Sequence, residues 1–140
     1  MKTRAKIIFV LTMISVLFVA GCGGSSYPKE TTDKLANCLA EKGVKEYGAF
    51  WCPNCAKQAD MFGKSYTILK EQGVYIECDP RCDVAEDKLP AACRGMVGQT
   101  RLCLEKNVNK YPDWEFPGGE RLQGVTELAT IAAKAGCEFP

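Results

Sequence analysis

Phe50-Trp51-Cys52-Pro53-Asn54-Cys55 joins an apolar run to a C-x-x-C whose second residue is proline and whose continuation has helical character. Two thiols at the first turn of a helix can close a small disulfide ring with little backbone movement. A helix N-terminus offers unpaired N–H groups and a partial positive charge, which favours a thiolate on the first cysteine. Pro53 suits the first helical position, where its missing donor is not needed. These features make Cys52 the expected nucleophile and Cys55, one turn in and more shielded, the expected resolving thiol. A bare C-x-x-C also fits a structural disulfide or half of a zinc site, so its surroundings decide.

Upstream, Val44 to Trp51 reads as a strand, with Val44, Glu46, Gly48 and Phe50 on one face and Lys45, Tyr47, Ala49 and Trp51 on the other. Glu46 is the odd polar residue of its face. Either that face is solvated, or Glu46 is a buried carboxylate that exchanges a proton with Cys55. The run Glu46 to Cys55 resembles the active-site strand and turn of the thioredoxin superfamily, with Trp51 directly before the first cysteine and an acid six residues ahead of it. The resemblance implies dithiol–disulfide chemistry.

Working further out, Thr31 or Thr32 is placed to cap a helix running to about Lys42, with Gly43 as its stop. Leu35, Cys38, Leu39 and Lys42 fall on one face of it. The helix after Cys55 carries Ala59, Phe62, Tyr66 and Leu69, interrupted near Gly63. Val74 to Cys78 reads as a short strand. Asp79 to Thr100 reads as an irregular excursion stapled by disulfides, and Gln99 to Lys106 as a short helix. A turn from Asn107 enters a strand ending at Phe116. Pro117-Gly118-Gly119 makes a hairpin turn, and Arg121 to Gly124 is the return strand. Thr126 is placed to cap a last helix stopped by Gly136. This order predicts an α/β, thioredoxin-like fold: a mixed central β-sheet flanked by helices, with a disulfide-stapled insertion.

The 140 residues allow one domain. Residues 1–21 read as a lipoprotein signal peptide: Lys2, Arg4 and Lys6 precede an apolar stretch, Ile7 to Val19, too short to serve as a comfortable permanent span. Val19-Ala20-Gly21-Cys22 resembles a bacterial lipobox, which makes Cys22 the lipidated residue of the mature protein. Residues 22–30 are then a lipidated flexible tether and 31–140 the domain. The expected location is extracytoplasmic, at a membrane surface by a lipid anchor, in the periplasm or on the cell surface. Three of the 18 basic residues lie in the signal, leaving 15 against 17 acidic, a net charge near −2. With no basic stripe, nothing points to nucleic acid as a partner.

Nine cysteines are present. With Cys22 assigned to lipid and Cys52 and Cys55 to the active pair, six remain. An even number in an exported domain reads as a disulfide framework, and six cysteines allow 15 connectivities.

Tyr111-Pro112 before a strand is similar to the superfamily's cis-proline, which implies that Pro112 packs near Cys52 and that the Tyr111 backbone is open to a substrate peptide. A closer likeness runs through Cys38 to Gly43, Tyr47 to Cys52, Tyr75 to Pro80 and Tyr111 to Trp114. These segments resemble the thioredoxin-like domains that partner, or are fused to, bacterial and plant homologues of vitamin K epoxide reductase, a membrane enzyme that passes electrons to quinone. That resemblance implies a Cys78–Cys103 pair, with Cys82–Cys93 inside its loop and Cys38–Cys137 stapling the first and last helices. It also implies two classes of partner: proteins with thiols or disulfides, and a quinone-linked membrane reductase of that kind. The expected activity is thiol–disulfide exchange at Cys52 and Cys55, supported by Trp51, Pro53, Glu46, Tyr111 and Pro112. It calls for no metal or other cofactor. A reductive role in cytochrome or copper-site maturation is the alternative within this chemistry. A metal-binding module using Cys52, Cys55, Cys78 and Cys82 is the alternative outside it.

Overall fold

The computed structural model describes residues 25–140. The expected signal, 1–21, and Cys22 with its lipid lie outside the described residues. Nine elements follow one another: α1 (Lys29–Glu41), β1 (Lys45–Gly48), α2 (Pro53–Phe62), α3 (Tyr66–Glu71), β2 (Tyr75–Glu77), α4 (Thr100–Glu105), β3 (Asp113–Glu115), β4 (Arg121–Gln123) and α5 (Leu128–Ala135). The strands form one mixed sheet of order β2-β1-β3-β4, parallel between β1 and β2 and antiparallel elsewhere.

The register sorts the side chains. Glu46 lies opposite both Tyr75 and Trp114, and Gly48 opposite Glu77, so these five residues share a face. Leu35 and Leu39 of α1, Phe62 of α2, Leu69 of α3 and Leu128 and Ile131 of α5 pack on that face around the fully buried Trp114. The opposite face carries Tyr47 and Ile76, covered by Cys103 of α4 with Cys78. Burial on both faces explains why β1 lacks an exposed, polar alternation.

Several boundaries differ from expectation. α1 begins at Lys29 behind Pro28, whose carbonyl accepts the N–H groups of Thr31 and Thr32 at 3.0 and 3.2 Å. Thr32 is no cap: its hydroxyl is buried and meets Ser65 at 2.7 Å. The fold also reaches back into the expected tether. The Ser25 hydroxyl donates to the Met61 carbonyl at 2.6 Å, and the Tyr27 ring meets Phe139 edge-on at 4.7 Å. Apolar contact with the chain's other end is what holds Tyr27 there. At α5 no side chain caps the N-terminus, and the Thr126 hydroxyl donates back to the Gly124 carbonyl instead. Gly63, at φ +57°, ends α2 and separates it from α3.

Three disulfides join described residues: Cys38 to Cys137, Cys78 to Cys103, and Cys82 to Cys93. They are the pairs the resemblance implies. The first spans 99 residues, a constraint worth about 4–5 kcal/mol on the chain-entropy account. With Cys78 and Cys82 in separate disulfides, the metal-binding set of Cys52, Cys55, Cys78 and Cys82 is not available, which removes that alternative.

Candidate active site

β1 ends at Gly48, and the next residues turn so that the Ala49 carbonyl accepts the Cys52 N–H at 2.9 Å. This turn brings Cys52 to the N-cap of α2, with Pro53 at the first helical position. Cys52 and Cys55 both carry unbonded thiols, and both are buried, at 7% and 5% exposure, because Cys52 packs against Ala49 and Tyr111; the expected difference in shielding is slight. The Cys55 N–H donates to the Cys52 sulfur at 3.4 Å, the contact expected of a helix N-terminus toward a developing thiolate. On its other side the Cys52 sulfur lies 3.9 Å from the Tyr111 carbonyl, to which a thiol there would donate. The Tyr111-Pro112 bond is cis. Pro112 itself has no backbone N–H to donate.

Cys55 sits under the helix, against the sheet. A β-carbon on Gly48 would lie 3.1 Å from the Cys55 sulfur and 2.8 Å from the Tyr75 ring, so only glycine leaves room for both. Burial pushes the Cys55 thiol well above its ordinary pKa, and the Cys52 sulfur and the Glu46 carboxylate add to the effect.

Glu46 is completely buried, and neither of its carboxylate oxygens has a hydrogen-bond partner. The Tyr66 hydroxyl is likewise unpartnered. Burial raises the Glu46 pKa to about 8, against the opposing influence of the Tyr66 hydroxyl and the Lys70 ammonium. Of the two readings of this face, the buried one is what the structure shows. A carboxylate in that state takes up and gives back protons near neutral pH.

Trp51 is the most exposed aromatic of the site, at 56%. Its indole N–H donates to Asp79 at 2.6 Å, and its ring meets Tyr111 edge-on at 6.3 Å. Asp79 accepts two further bonds from the Arg81 guanidinium, at 2.9 and 2.8 Å, which hold its carboxyl far below the usual range. Arg81 in turn lies 4.8 Å over the Phe50 ring. Asp79 and Arg81, at the start of the insertion, therefore clamp the tryptophan next to Cys52.

The structure brings Cys52, Cys55, Trp51, Pro53, Tyr111 and Pro112 into one site, with Glu46 beneath Cys55. Cys78 and Cys103 lie on the other face of the sheet, and Cys38 and Cys137 at the outer helices. Sequence reading missed Gly48, Tyr66, Tyr75, Glu77, Asp79 and Arg81. The signal for Gly48 was its place two residues after Glu46 on the same face. The others depend on strand register and on the path of the insertion, which no local pattern states.

Thiol-disulfide oxidoreductase LTO1 of Arabidopsis thaliana is 33% identical over 102 residues, covering 73% of this chain and 23% of that protein. The chain thus spans less than a quarter of that relative's length. No family model matches the chain.

Proposed function

We propose that this protein is a thioredoxin-like thiol–disulfide oxidoreductase whose working pair is Cys52 and Cys55, tethered outside the cytoplasm by a lipid on Cys22. The observation that carries the reading is the asymmetry of the two sulfurs. Both are buried, but Cys52 meets a helix N–H and the Tyr111 carbonyl, whereas Cys55 lies over Gly48 near an unpartnered acid. Similarity to a protein named as a thiol-disulfide oxidoreductase supports the same chemistry.

In the oxidising direction a substrate thiolate attacks the Cys52 sulfur of the Cys52–Cys55 disulfide. The disulfide breaks, Cys55 leaves with the electron pair, and it takes a proton from Glu46. The substrate's second thiolate then attacks its own sulfur in the mixed disulfide and releases Cys52 as thiolate. The substrate has lost two electrons and the pair has gained them. The reverse path reduces a substrate disulfide: Glu46 takes the Cys55 proton, and the Cys55 thiolate attacks Cys52 and expels the substrate sulfur. Trp51, Tyr111 and Pro112 form the surface on which the substrate chain rests.

Oxidation of substrate proteins is the direction we favour, with reoxidation by a quinone-linked membrane reductase like the vitamin K epoxide reductase homologues. A tether raises the concentration of the domain at such a partner. Replacing Cys55→Ala removes the thiol that cleaves the mixed disulfide, so trapped complexes accumulate and dissolve with reductant. Trapping of a membrane protein together with secreted thiol proteins is the expected result. Trapping of only cytochrome- or copper-maturation proteins would establish the reductive role, and no trapping at all would overturn the reading. The lipid is tested separately, by release of a Cys22→Ser variant from membranes.

A further inference from the structure

Glu46 is not the only buried acid behind Cys55. Glu77, at the end of β2, is also fully buried, and no step described so far uses it. A carboxyl fully removed from water is costly unless it serves a purpose. The two are held differently. Glu77 accepts the Tyr75 hydroxyl at 2.8 Å and the Asp79 N–H at 2.9 Å, so it is a satisfied acceptor where Glu46 is a bare one.

Tyr75 connects Glu77 to the working thiol. Its side chain is almost wholly buried, and its ring and hydroxyl lie against Gly48 at the spot where the Cys55 sulfur also sits. A β-carbon on Gly48 would be 3.2 Å from the hydroxyl and 3.1 Å from the sulfur, which makes the two neighbours across a single backbone position. Tyr75 and Cys55 also line one small cavity of about 100 Å³, with Tyr66, Lys70 and Met96 among its other walls. A phenol has one proton to donate, and Tyr75 gives it to Glu77. With that proton committed, the hydroxyl oxygen has only lone pairs left for its other neighbours, and lone pairs near the sulfur favour S–H over S⁻.

We propose that Glu77 and Tyr75 form a positioning pair for the resolving thiol, keeping Cys55 neutral until Glu46 exchanges a proton with it. The proposal rests on the exchange chemistry assigned to Cys52 and Cys55. Glu77 acts by fixing the direction of the tyrosine proton. The titratable or charged groups around Cys55 are Glu46 from β1, Cys52 from α2, Tyr66 and Lys70 from α3, Tyr75 from β2 and Tyr111 from the turn before β3, with Glu77 behind Tyr75. Lys70 is the one cation among them, 5.5 and 5.9 Å from the Tyr66 and Tyr75 ring centres. Glu77 lies behind Tyr75, and among the described residues the only hydrogen bond of the Tyr75 hydroxyl goes to Glu77, so both are positioning residues and Cys52 and Cys55 remain the catalytic ones.

The test titrates Cys55 alone, in a full-length Cys52→Ser background, by the pH dependence of its alkylation with iodoacetamide and by the ultraviolet absorbance of its thiolate. In Glu77→Gln the carboxylate is replaced by a neutral amide oxygen, a weaker acceptor that holds the Tyr75 proton less firmly and leaves it freer to turn toward a Cys55 thiolate. The pH midpoint of Cys55 then moves down, and at a pH below both midpoints alkylation is about tenfold faster, the change that corresponds to a midpoint one unit lower. A structural loosening would instead raise the rate by one factor at every pH and leave the midpoint in place. Tyr75→Phe, which keeps the ring in its space, supplies the second arm. If Glu77 acts through Tyr75, adding Glu77→Gln to Tyr75→Phe moves the midpoint less than half as far as it does alone. An unchanged midpoint in Glu77→Gln overturns the proposal, as does an undiminished shift in the Tyr75→Phe background. Failure of the underlying chemistry is read separately, as absence of mixed disulfides in Cys55→Ala with Glu77 and Tyr75 intact.

Discussion

On one face of the sheet Glu46 is fully buried with both carboxylate oxygens unpartnered; on the other face Asp113 is just as buried and fully paired. Arg121 grips Asp113 with two bonds of 3.0 and 2.8 Å, and Gln123 adds a third at 3.1 Å. Around them Tyr47 donates to Glu115 at 3.0 Å, Lys106 pairs with Glu115 at 2.5 Å, and the Arg121 guanidinium lies 5.4 Å over the Tyr47 ring. A buried charge whose partners are all in place is a structural member. A buried acid with none stays neutral, stores an unfavourable free energy and is poised to take part in proton transfer. The two acids occupy adjoining strands of one sheet, so burial alone does not separate the acid proposed for proton exchange from the structural one. Partnering does.

The comparison can be broken most sharply at Arg121. Arg121→Ala leaves Asp113 buried without its cation and is expected to cost roughly 3–5 kcal/mol in urea unfolding, while Cys55→Ala trapping in the same background persists under conditions where the variant is folded. If stability is unchanged, Asp113 is not the structural half of the contrast.

Glu46→Gln is expected to do the reverse. The acid's pKa lies at about 8 in the fold against 4.5 for the ordinary group. In the folded protein it therefore stays protonated where the unfolded chain has already ionised. Its effect on stability is absent below the unfolded pKa, grows as pH rises from about 4.5, and reaches its full cost above about 8. Glu46→Gln removes that decline, so the variant is more stable than the parent by roughly 2–4 kcal/mol at pH 9 and indistinguishable from it near pH 4. Thiol–disulfide exchange slows by about 100-fold in the same variant. Chemical unfolding across pH and a turnover assay with a model disulfide check the two halves.

Asp79→Asn tests a third arrangement, a paired acid placed at the site itself. It weakens the Arg81 grip and the Trp51 anchor, at a stability cost of about 1 kcal/mol. A raised KM for peptide substrates is expected with little change in the rate of mixed-disulfide resolution, since neither sulfur touches Asp79. The smallest effect belongs to an ion pair on the surface. Glu120, 69% exposed, meets Lys134 at 3.0 Å, and Glu120→Gln is expected to shift stability by no more than about 0.5 kcal/mol.

Much of this site was legible in the chain because its parts are local. Cys52, Pro53 and Cys55 fall within one helical turn, and the alternation that isolated Glu46 needs only the strand itself. Gly63 and Gly136 mark helix ends by backbone conformation, which a glycine announces. The threonine caps misled for an equally local reason: a hydroxyl near a helix start has other acceptors available, and Thr32 and Thr126 used them.

The sequence alone determined the C-x-x-C at the start of a helix, the proline at its first turn and the acid two residues before Gly48. These follow from covalent spacing and backbone geometry, which act over a few residues. Tertiary structure alone decided that Glu46 has no partner while Asp113 has three bonds, that Tyr75 and Glu77 stand behind Cys55, and that Asp79 reaches back to Trp51. Those outcomes depend on strand register, which sets what lies opposite each residue. Register is fixed only when both faces of the sheet are packed at once.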